Sequence, residues 1–278
     1  MKKRYLIAAA VVVCMIAAAL FVLNFGQPEK KYDGPDVLVE TYAAYNDNEP
    51  YLISSFDYDD NGHQIKTTNY NDDGSIFNWN DLEYDSGGNM VKQTNYNADG
   101  TVSFLLENVY NSDDQIAKKI LYDADGAIEQ AAEIEYDDNG NIAKQTAYDG
   151  NGDHYFLENE YDDNGNMVKQ TQYDSDGTVL IYSELEYDDN GNKIREIEHM
   201  YETTQTDHEY DSHGNMTKKT AYNSDGSVSL QREYAYKYDD SGNVIKQTLL
   251  NQNGEISYTE EYKYIPLGEY LAKNKKKR

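Results

Sequence analysis

The chain has 278 residues, with 28 Tyr, 19 Gly and a single Cys, and carries a formal net charge of -27. A body this acidic repels phosphate backbones, which excludes nucleic acid as a partner. The lone Cys14 excludes both an intrachain disulfide and a Cys-based metal site. Tyr favours strands, and Asn, Asp and Gly favour turns, so the composition points to an all-β protein of many short strands around a thin core.

Residues 1–27 read as a signal anchor. Lys2, Lys3 and Arg4 precede an uncharged, almost wholly apolar stretch from Tyr5 to Leu23. As a helix that stretch spans roughly 28 Å, the thickness of a hydrocarbon core. The reading is one N-terminal transmembrane helix, with the flanking positive charges cytoplasmic and everything after it outside. Cleavage near Ala17-Ala18-Ala19 is the alternative and would make the chain secreted. It would leave Leu20-Phe21-Val22-Leu23 on the mature end. A lipoprotein signal fits less well, because Val13 stands where a small residue should precede Cys14.

Residues 28–57 form a linker and a degenerate half-repeat leading into the sheet. From there the chain repeats. Tyr58, Tyr84, Tyr110, Tyr136, Tyr161, Tyr187, Tyr210 and Tyr238 each open a Tyr-[Asp/Asn] turn, with a remnant at Tyr264; the steps are 26, 26, 26, 25, 26, 23, 28 and 26 residues. Eight tandem units thus fill 58–264. Each holds two turns, exemplified by Asp162–Gly165 and Asp174–Gly177, separated by about one strand's length. The spacing predicts a long antiparallel meander of about sixteen short strands, curled or spiralled to shield one face.

Charge pairing selects a register. A four-residue loop after each opening Tyr sets Asp81 against Lys92, Glu107 against Lys118, Glu133 against Lys144, Glu158 against Lys169, Glu184 against Arg195 and Asp207 against Lys218. A three-residue loop would set Leu82, Asn108, Ile134, Asn159, Leu185 and His208 there instead. In the unit at Tyr161 the four-residue register puts Val168, Gln170, Val179, Ile181, Leu185 and Tyr187 on the inner face. Met167, Lys169, Thr171, Tyr173, Tyr182, Glu184 and Glu186 fall on the outer one.

The unit at Tyr187 lacks its second Gly turn in "HMYETTQTDHEY" and reads as a worn hairpin, with a bend or a ligand-facing break as the alternative. Residues 265–278 are a terminal segment with a basic, disordered tail, Lys273 to Arg278.

The segments "YDDNGN" at Tyr136, Tyr161 and Tyr187, "YDSHGN" at Tyr210 and "YDDSGN" at Tyr238 resemble the YD repeats of the Rhs family of bacterial surface and toxin proteins, also seen in animal teneurins. The resemblance covers about Tyr58 to Tyr264. It implies strands that spiral into a β-shell, and it implies carbohydrate binding. Eight units are few for a closed shell, and "IPLGEYLAKNKKKR" after Tyr264 holds no toxin domain, so encapsulation is not implied. MORN-like hairpin repeats are a neighbouring pattern.

No catalytic constellation stands out. His63, His154, His199, His208 and His213 are scattered, and the carboxylates recur with the fold's own period, whereas a catalytic pair is singular. The chain reads as a non-enzyme with no cofactor. "DADG" at Asp123, "DSDG" at Asp174 and "DGNGD" at Asp149 start like Ca²⁺ loops but lack the twelfth-position Glu, so they read as structural turns, with weak Ca²⁺ binding as the alternative. Tyr70, Tyr96, Tyr122, Tyr148, Tyr173 and Tyr222 recur just before the second turn. They are the candidate binding residues: a row of aromatic platforms for a glycan or a surface protein, against cross-strand packing as the plainer reading. Together these features predict a membrane-anchored surface binding or adhesion module, with a structural envelope spacer as the second reading.

Overall fold

The computed structural model describes residues 36–45, 48–251 and 253–274. The expected transmembrane helix in 1–27 and the Lys275–Arg278 end of the tail lie outside the described residues. Among the described residues no helix is long and apolar enough to cross a membrane.

Among the described residues eighteen antiparallel strands follow one another. They are β1 (Asp36–Tyr45), β2 (Tyr51–Tyr58), β3 (Gln64–Tyr70), β4 (Ile76–Tyr84), β5 (Met90–Asn97), β6 (Val102–Tyr110), β7 (Ile116–Tyr122), β8 (Ile128–Tyr136) and β9 (Ile142–Asp149). The second half is β10 (His154–Tyr161), β11 (Met167–Tyr173), β12 (Val179–Tyr187), β13 (Lys193–His199), β14 (Thr203–Tyr210), β15 (Met216–Tyr222), β16 (Val228–Tyr238), β17 (Val244–Leu250) and β18 (Ile256–Pro266). Each pairs with its sequence neighbours, and β1 pairs with both β2 and β18. The meander therefore closes into an 18-stranded barrel. The eight units supply β3 to β18. The two further strands come from the half-repeat before Tyr58, and β1 removes the free edges that an open sheet would leave.

Each unit's turn is a three-residue loop, not the four-residue loop that charge pairing suggests. The Asp162 amide donates to Asn166 O at 2.9 Å and the Gly165 amide to Asp162 O at 3.0 Å, while Asp162 Oδ1 accepts the amides of Asn164 and Asn166. This is a type I turn closed by a left-handed residue, and Gly165 supplies it at φ +83°. In the unit at Tyr110, Asp114 takes that position at φ +57°.

A second irregularity follows the loop. Tyr161 faces Met167 but Glu160 faces Lys169, so Val168 is an extra, bulged residue. The bulge slides the register by one, and each basic residue faces the position just before the opening Tyr: Glu83 for Lys92, Val109 for Lys118, Glu135 for Lys144, Glu160 for Lys169, Glu186 for Arg195 and Glu209 for Lys218. The six pairs expected from the four-residue loop are thereby replaced. Across the other hairpin the same cations meet a second set of acids, as in Lys118–Glu133 at 3.2 Å, Lys144–Glu158 at 3.7 Å and Arg195–Asp207 at 2.9 Å.

The bulges also correct the faces. Ile181 and Leu185 are buried as expected, but Val179 is half exposed, and Met167 points inward beside Gln170. Lumen-facing Leu106, Ala132, Ala147, Tyr155, Leu157, Ile181 and Leu185 form a thin core. The outer wall carries the Lys–Glu ladder.

The opening tyrosines lock neighbouring units together. Tyr58, Tyr84, Tyr110, Tyr136, Tyr161, Tyr187, Tyr210 and Tyr236 each donate their hydroxyl to a main-chain carbonyl at 2.7–2.9 Å. The acceptors, such as Ile116 O for Tyr136, belong to the residue just before a bulge, where the ladder is broken and a carbonyl is free to turn. In the last unit Tyr236 takes this role in place of Tyr238. The preceding step is 28 residues, and Tyr236 stands where a 26-residue step would end.

The two rims differ. Opening turns touch their neighbours: Gln115 Nε2 donates to Gly140 O at 3.3 Å, and Asn89 Nδ2 to Asp114 Oδ1 at 3.3 Å. At the opposite rim, a methyl group added to Gly126, Gly152, Gly177 or Gly226 would meet nothing within 4 Å. Both β1 and β18 have their outer ends at the opening-turn rim, since Asp36 faces Pro266.

The worn unit keeps its hairpin. β13 and β14 pair without a register shift from Arg195–Asp207 to His199–Thr203, and Tyr201 at the tip is 85% exposed. The terminal segment after Tyr264 contains a helix, α1 (Leu267–Asn274), with Glu269 in its first turn and, in its last, Lys273, the first residue of the expected disordered tail. Buried Tyr270 of α1 donates to Asp57 Oδ1, accepts from the Tyr58 amide, each at 3.0 Å, and meets the Tyr58 ring edge-on.

Candidate functional site

Two arrangements on this scaffold could meet a ligand, one on the outer wall and one in the lumen. On the outer wall, the sequence-predicted tyrosines sit at equivalent heights near the second-turn rim, all half-buried. Tyr96 stacks on Trp79 with centroids 5.1 Å apart, and Tyr173 on Phe156 at 4.7 Å. Tyr148 lies 5.7 Å from the His154 ring. The Tyr122 hydroxyl donates to Glu107, and the Tyr70 hydroxyl lies 3.0 Å from Ser55 Oγ. Tyr222 faces Val228 and Gln205 across its two ladders.

Sequence reasoning missed the partners that turn this row into a band. Tyr182 stacks on His199 at 4.3 Å. Lys144 lies over the Phe156 ring at 4.1 Å, Lys66 over Trp79 at 5.4 Å and Lys169 over Tyr182 at 5.8 Å. The band therefore alternates cation, aromatic and aromatic, and one face of Tyr96 and of Tyr173 is already taken by its neighbour. A wall laced with Lys–Glu pairs is the inverse of a lipid-facing barrel wall, whose exterior is an apolar belt.

The lumen carries a polar girdle. Nine residues after each opening Tyr stand Thr67, Gln93, Lys119, Gln145, Gln170, Glu196, Lys219 and Gln247. Gln93, Lys119 and Gln145 are 3–7% exposed. Burial pushes the Lys119 ammonium down to about 8. Lys193 and Glu196 pair at 2.7 Å. Burial raises the Glu198 carboxyl, with Glu196 adding to the effect, and burial lowers His208, helped by Lys193 and Lys219. The signal for this girdle is in the sequence: "AKKILY" holds Lys118 and Lys119, and adjacent strand residues point to opposite faces.

A cavity of about 660 Å³ lies along the girdle between β7 and β13 and reaches the opening-turn rim at Gly165 and Asn166. Ile116, Ile134, Ile142, Met167 and Leu185 give it an apolar wall. Tyr136, Tyr161 and Tyr187 also line it, their hydroxyls held by the interunit carbonyl bonds. Its charged lining consists of Lys119, Lys193 and Glu196. Deeper in the lumen, Ala132, Ala147, Tyr155 and Leu157 pack into one cluster. Among the described residues no three His, Cys, Asp or Glu side chains converge on a point that could hold a metal ion.

A family model described as a protein of unknown function, DUF2963, matches residues 155–198, from β10 to β13. No curated protein matches the chain. Among solved structures, a porin-like protein from Bacteroides uniformis is similar at 12% identity and a TM-score of 0.46, over 84% of this chain and 98% of that one. A porin-like protein from Bacteroides vulgatus is similar at 10% identity and a TM-score of 0.32, over 82% and 98%. A Photorhabdus luminescens Tc holotoxin pore is similar at 14% identity and a TM-score of 0.28, over 80% of this chain but only 14% of that one.

Proposed function

We propose that this chain is an exported, membrane-tethered binding module whose outer aromatic band engages carbohydrate at the cell surface. The observation that carries the reading is the band itself: Tyr70, Tyr96, Tyr122, Tyr148, Tyr173 and Tyr222 stand at one height on a closed wall, with Lys and Glu between them. An aromatic face with a polar edge suits a sugar ring, and repetition around the barrel gives several weak contacts at once. The tether is the apolar stretch from Tyr5 to Leu23, outside the described residues. β1 begins at the opening-turn rim, so a tether there leaves the second-turn rim and the band facing away from the membrane. The recurring Tyr-Asp-x-x-Gly-Asn turns support reading the units as YD-type repeats, and the reading assigns no catalysis.

A glycan array with the wild type and a Tyr148→Ala/Tyr173→Ala double variant tests the binding reading. Retention of selected glycans by the wild type and their loss in the variant is the expected result. An array with no retained glycan, or one unchanged by the substitutions, favours the second reading, an envelope spacer. The stacking of Tyr96 on Trp79 and Tyr173 on Phe156 supports that alternative, because those rings already have a packing role. Protease shaving of intact cells tests export; full protection of the repeats contradicts it.

A further inference from the structure

Basic residues on the outer wall are matched to acids. Each Lys or Arg eight residues after an opening Tyr, from Lys66 to Lys246, meets a carboxylate at 3.9 Å or less. The lumen face of β15 and β16 departs from that rule. Lys219 and Arg232 face each other across the ladder, and neither has an ion pair or a hydrogen bond among the described residues. Like charges directly opposite one another destabilise a sheet, so the pair is costly to keep without a shared counter-ion. On its other side Lys219 faces His208, whose buried Nδ1 has no hydrogen-bond partner. The nearest lumen-facing acids stand two strands, about 10 Å, away on either side. Glu196 on β13 is paired with Lys193 at 2.7 Å, and Glu260 on β18 accepts the hydroxyls of Tyr258 and Tyr262. Glu198, also on β13, faces Thr204 nearer the second-turn rim. The wall is also open here: Arg232 is exposed and Leu230 is 39% exposed, whereas Ala132, Leu157 and Leu185 on β8, β10 and β12 are buried.

We propose that the lumen binds a soluble phosphate monoester, whose doubly charged phosphoryl group sits between Lys219 and Arg232 near the middle of β15 and β16. One dianion neutralises both cations at once. The Arg232 guanidinium offers a fork of N–H donors that matches phosphoryl oxygens, and the Lys219 ammonium adds a point charge. His208 closes the row on the β14 side. Tyr234, two residues from Arg232 on the same face, brings a hydroxyl with no hydrogen-bond partner among the described residues. Ala221 and Leu230, opposite each other one step toward the second-turn rim, flank the approach. The row lies mid-strand on the enclosed face, so a phosphate held in a bilayer does not reach it. The net charge of -27 repels the same dianion elsewhere on the chain, which confines its binding to this row. This site is independent of the outer aromatic band, and either can fail without the other.

The test uses the full chain in nanodiscs of zwitterionic lipid and isothermal titration at about pH 8, with empty nanodiscs subtracted. The probes are methyl phosphate, a dianion well above its second pKa, and methyl sulfate, a monoanion of the same shape. The expected result is one saturable methyl phosphate site, on the order of tenfold tighter than methyl sulfate, the discrimination of one charge-assisted contact. Lys219→Gln and Arg232→Gln, each with the circular dichroism of the wild-type sheet, weaken methyl phosphate by about tenfold. Lys237→Gln removes the same charge from the outer wall, where Lys237 faces Lys246, and leaves both probes unchanged. Equal affinity for the two probes overturns the proposal, as does methyl phosphate binding that survives both lumen substitutions. A loss in Lys237→Gln as large as that in Lys219→Gln marks a net-charge effect and overturns it. The absence of any saturable site in a wild type with the circular dichroism of a folded sheet overturns it too.

Discussion

Lys119 is the sharpest place to test the energetics of this barrel. Burial lowers its ammonium from 10.5 to about 8, and with the residue 3% exposed little solvent screening offsets the shift. At 1.36 kcal/mol per pKa unit, keeping this group charged in the folded state costs about 3 kcal/mol at pH 7. Between pH 8 and 10.5 the unfolded chain holds a proton that the folded chain has released, so stability rises with pH across that window. Lys119→Met removes the charge and keeps the length of the side chain. We expect the variant to exceed the wild type by about 2–3 kcal/mol at pH 7, the difference falling to about 1 kcal/mol at pH 10. Urea unfolding followed by circular dichroism at the two pH values measures both numbers. Equal stabilities at pH 7, or a gap that does not narrow at pH 10, would refute the picture of a desolvated lumen cation.

Four more outcomes follow from the same geometry. Tyr136→Phe removes one interunit hydrogen bond and leaves the Ile116 carbonyl without that donor, so chemical denaturation should show a loss of about 1 kcal/mol. Asp114→Gly relieves a left-handed non-glycine position, and the same assay should show a gain of about 0.5–1 kcal/mol; a loss would mean that the Asn89–Asp114 contact outweighs the backbone strain. Asp137, Asp162, Asp188 and Asp239 are held below 3.8 by the side-chain amide of the Asn four residues on and by turn amides. Their stabilisation is complete above the unfolded value and is lost as pH falls through the folded ones, so the urea midpoint should drop below pH 4, and less steeply in Asp162→Asn. Tyr155, raised to about 12 by burial, and Tyr238, raised to about 12 by burial and its bond to Asp211, stay protonated in the fold. Stability from them is full below pH 10 and lost between 10 and 12, which a spectrophotometric tyrosine titration should show as a late, cooperative phase.

The repeat made the strands and turns legible. Tyr at a fixed step and Gly or Asp at the loop's last position are local requirements, and the fold realises them unit by unit, down to the hairpin that β13 and β14 keep without a Gly. Charge pairing misled the register for a physical reason. Exposed Lys–Glu pairs are worth little and tolerate diagonal neighbours, so an arrangement with a shorter loop and one bulge satisfies them equally well. The inward position of Lys119 was encoded by simple alternation next to Lys118, yet its meaning depends on which side of the sheet is enclosed. The aromatic partners Trp79, Phe156 and Tyr182 each stand five residues before the next opening Tyr, and His199 stands twelve after Tyr187, at the position of the tyrosine row, so the band had a periodic signal in the sequence that sequence reasoning did not use.

By itself the sequence determined an acidic, all-β chain of tandem hairpins, since turn chemistry and strand alternation act within a few residues. Closure was decided only in three dimensions. Whether β1 meets β18 depends on how bulges and twist accumulate over the whole sheet, and no short stretch records that sum. With closure came an inside, and with an inside one face of every strand became a lumen face.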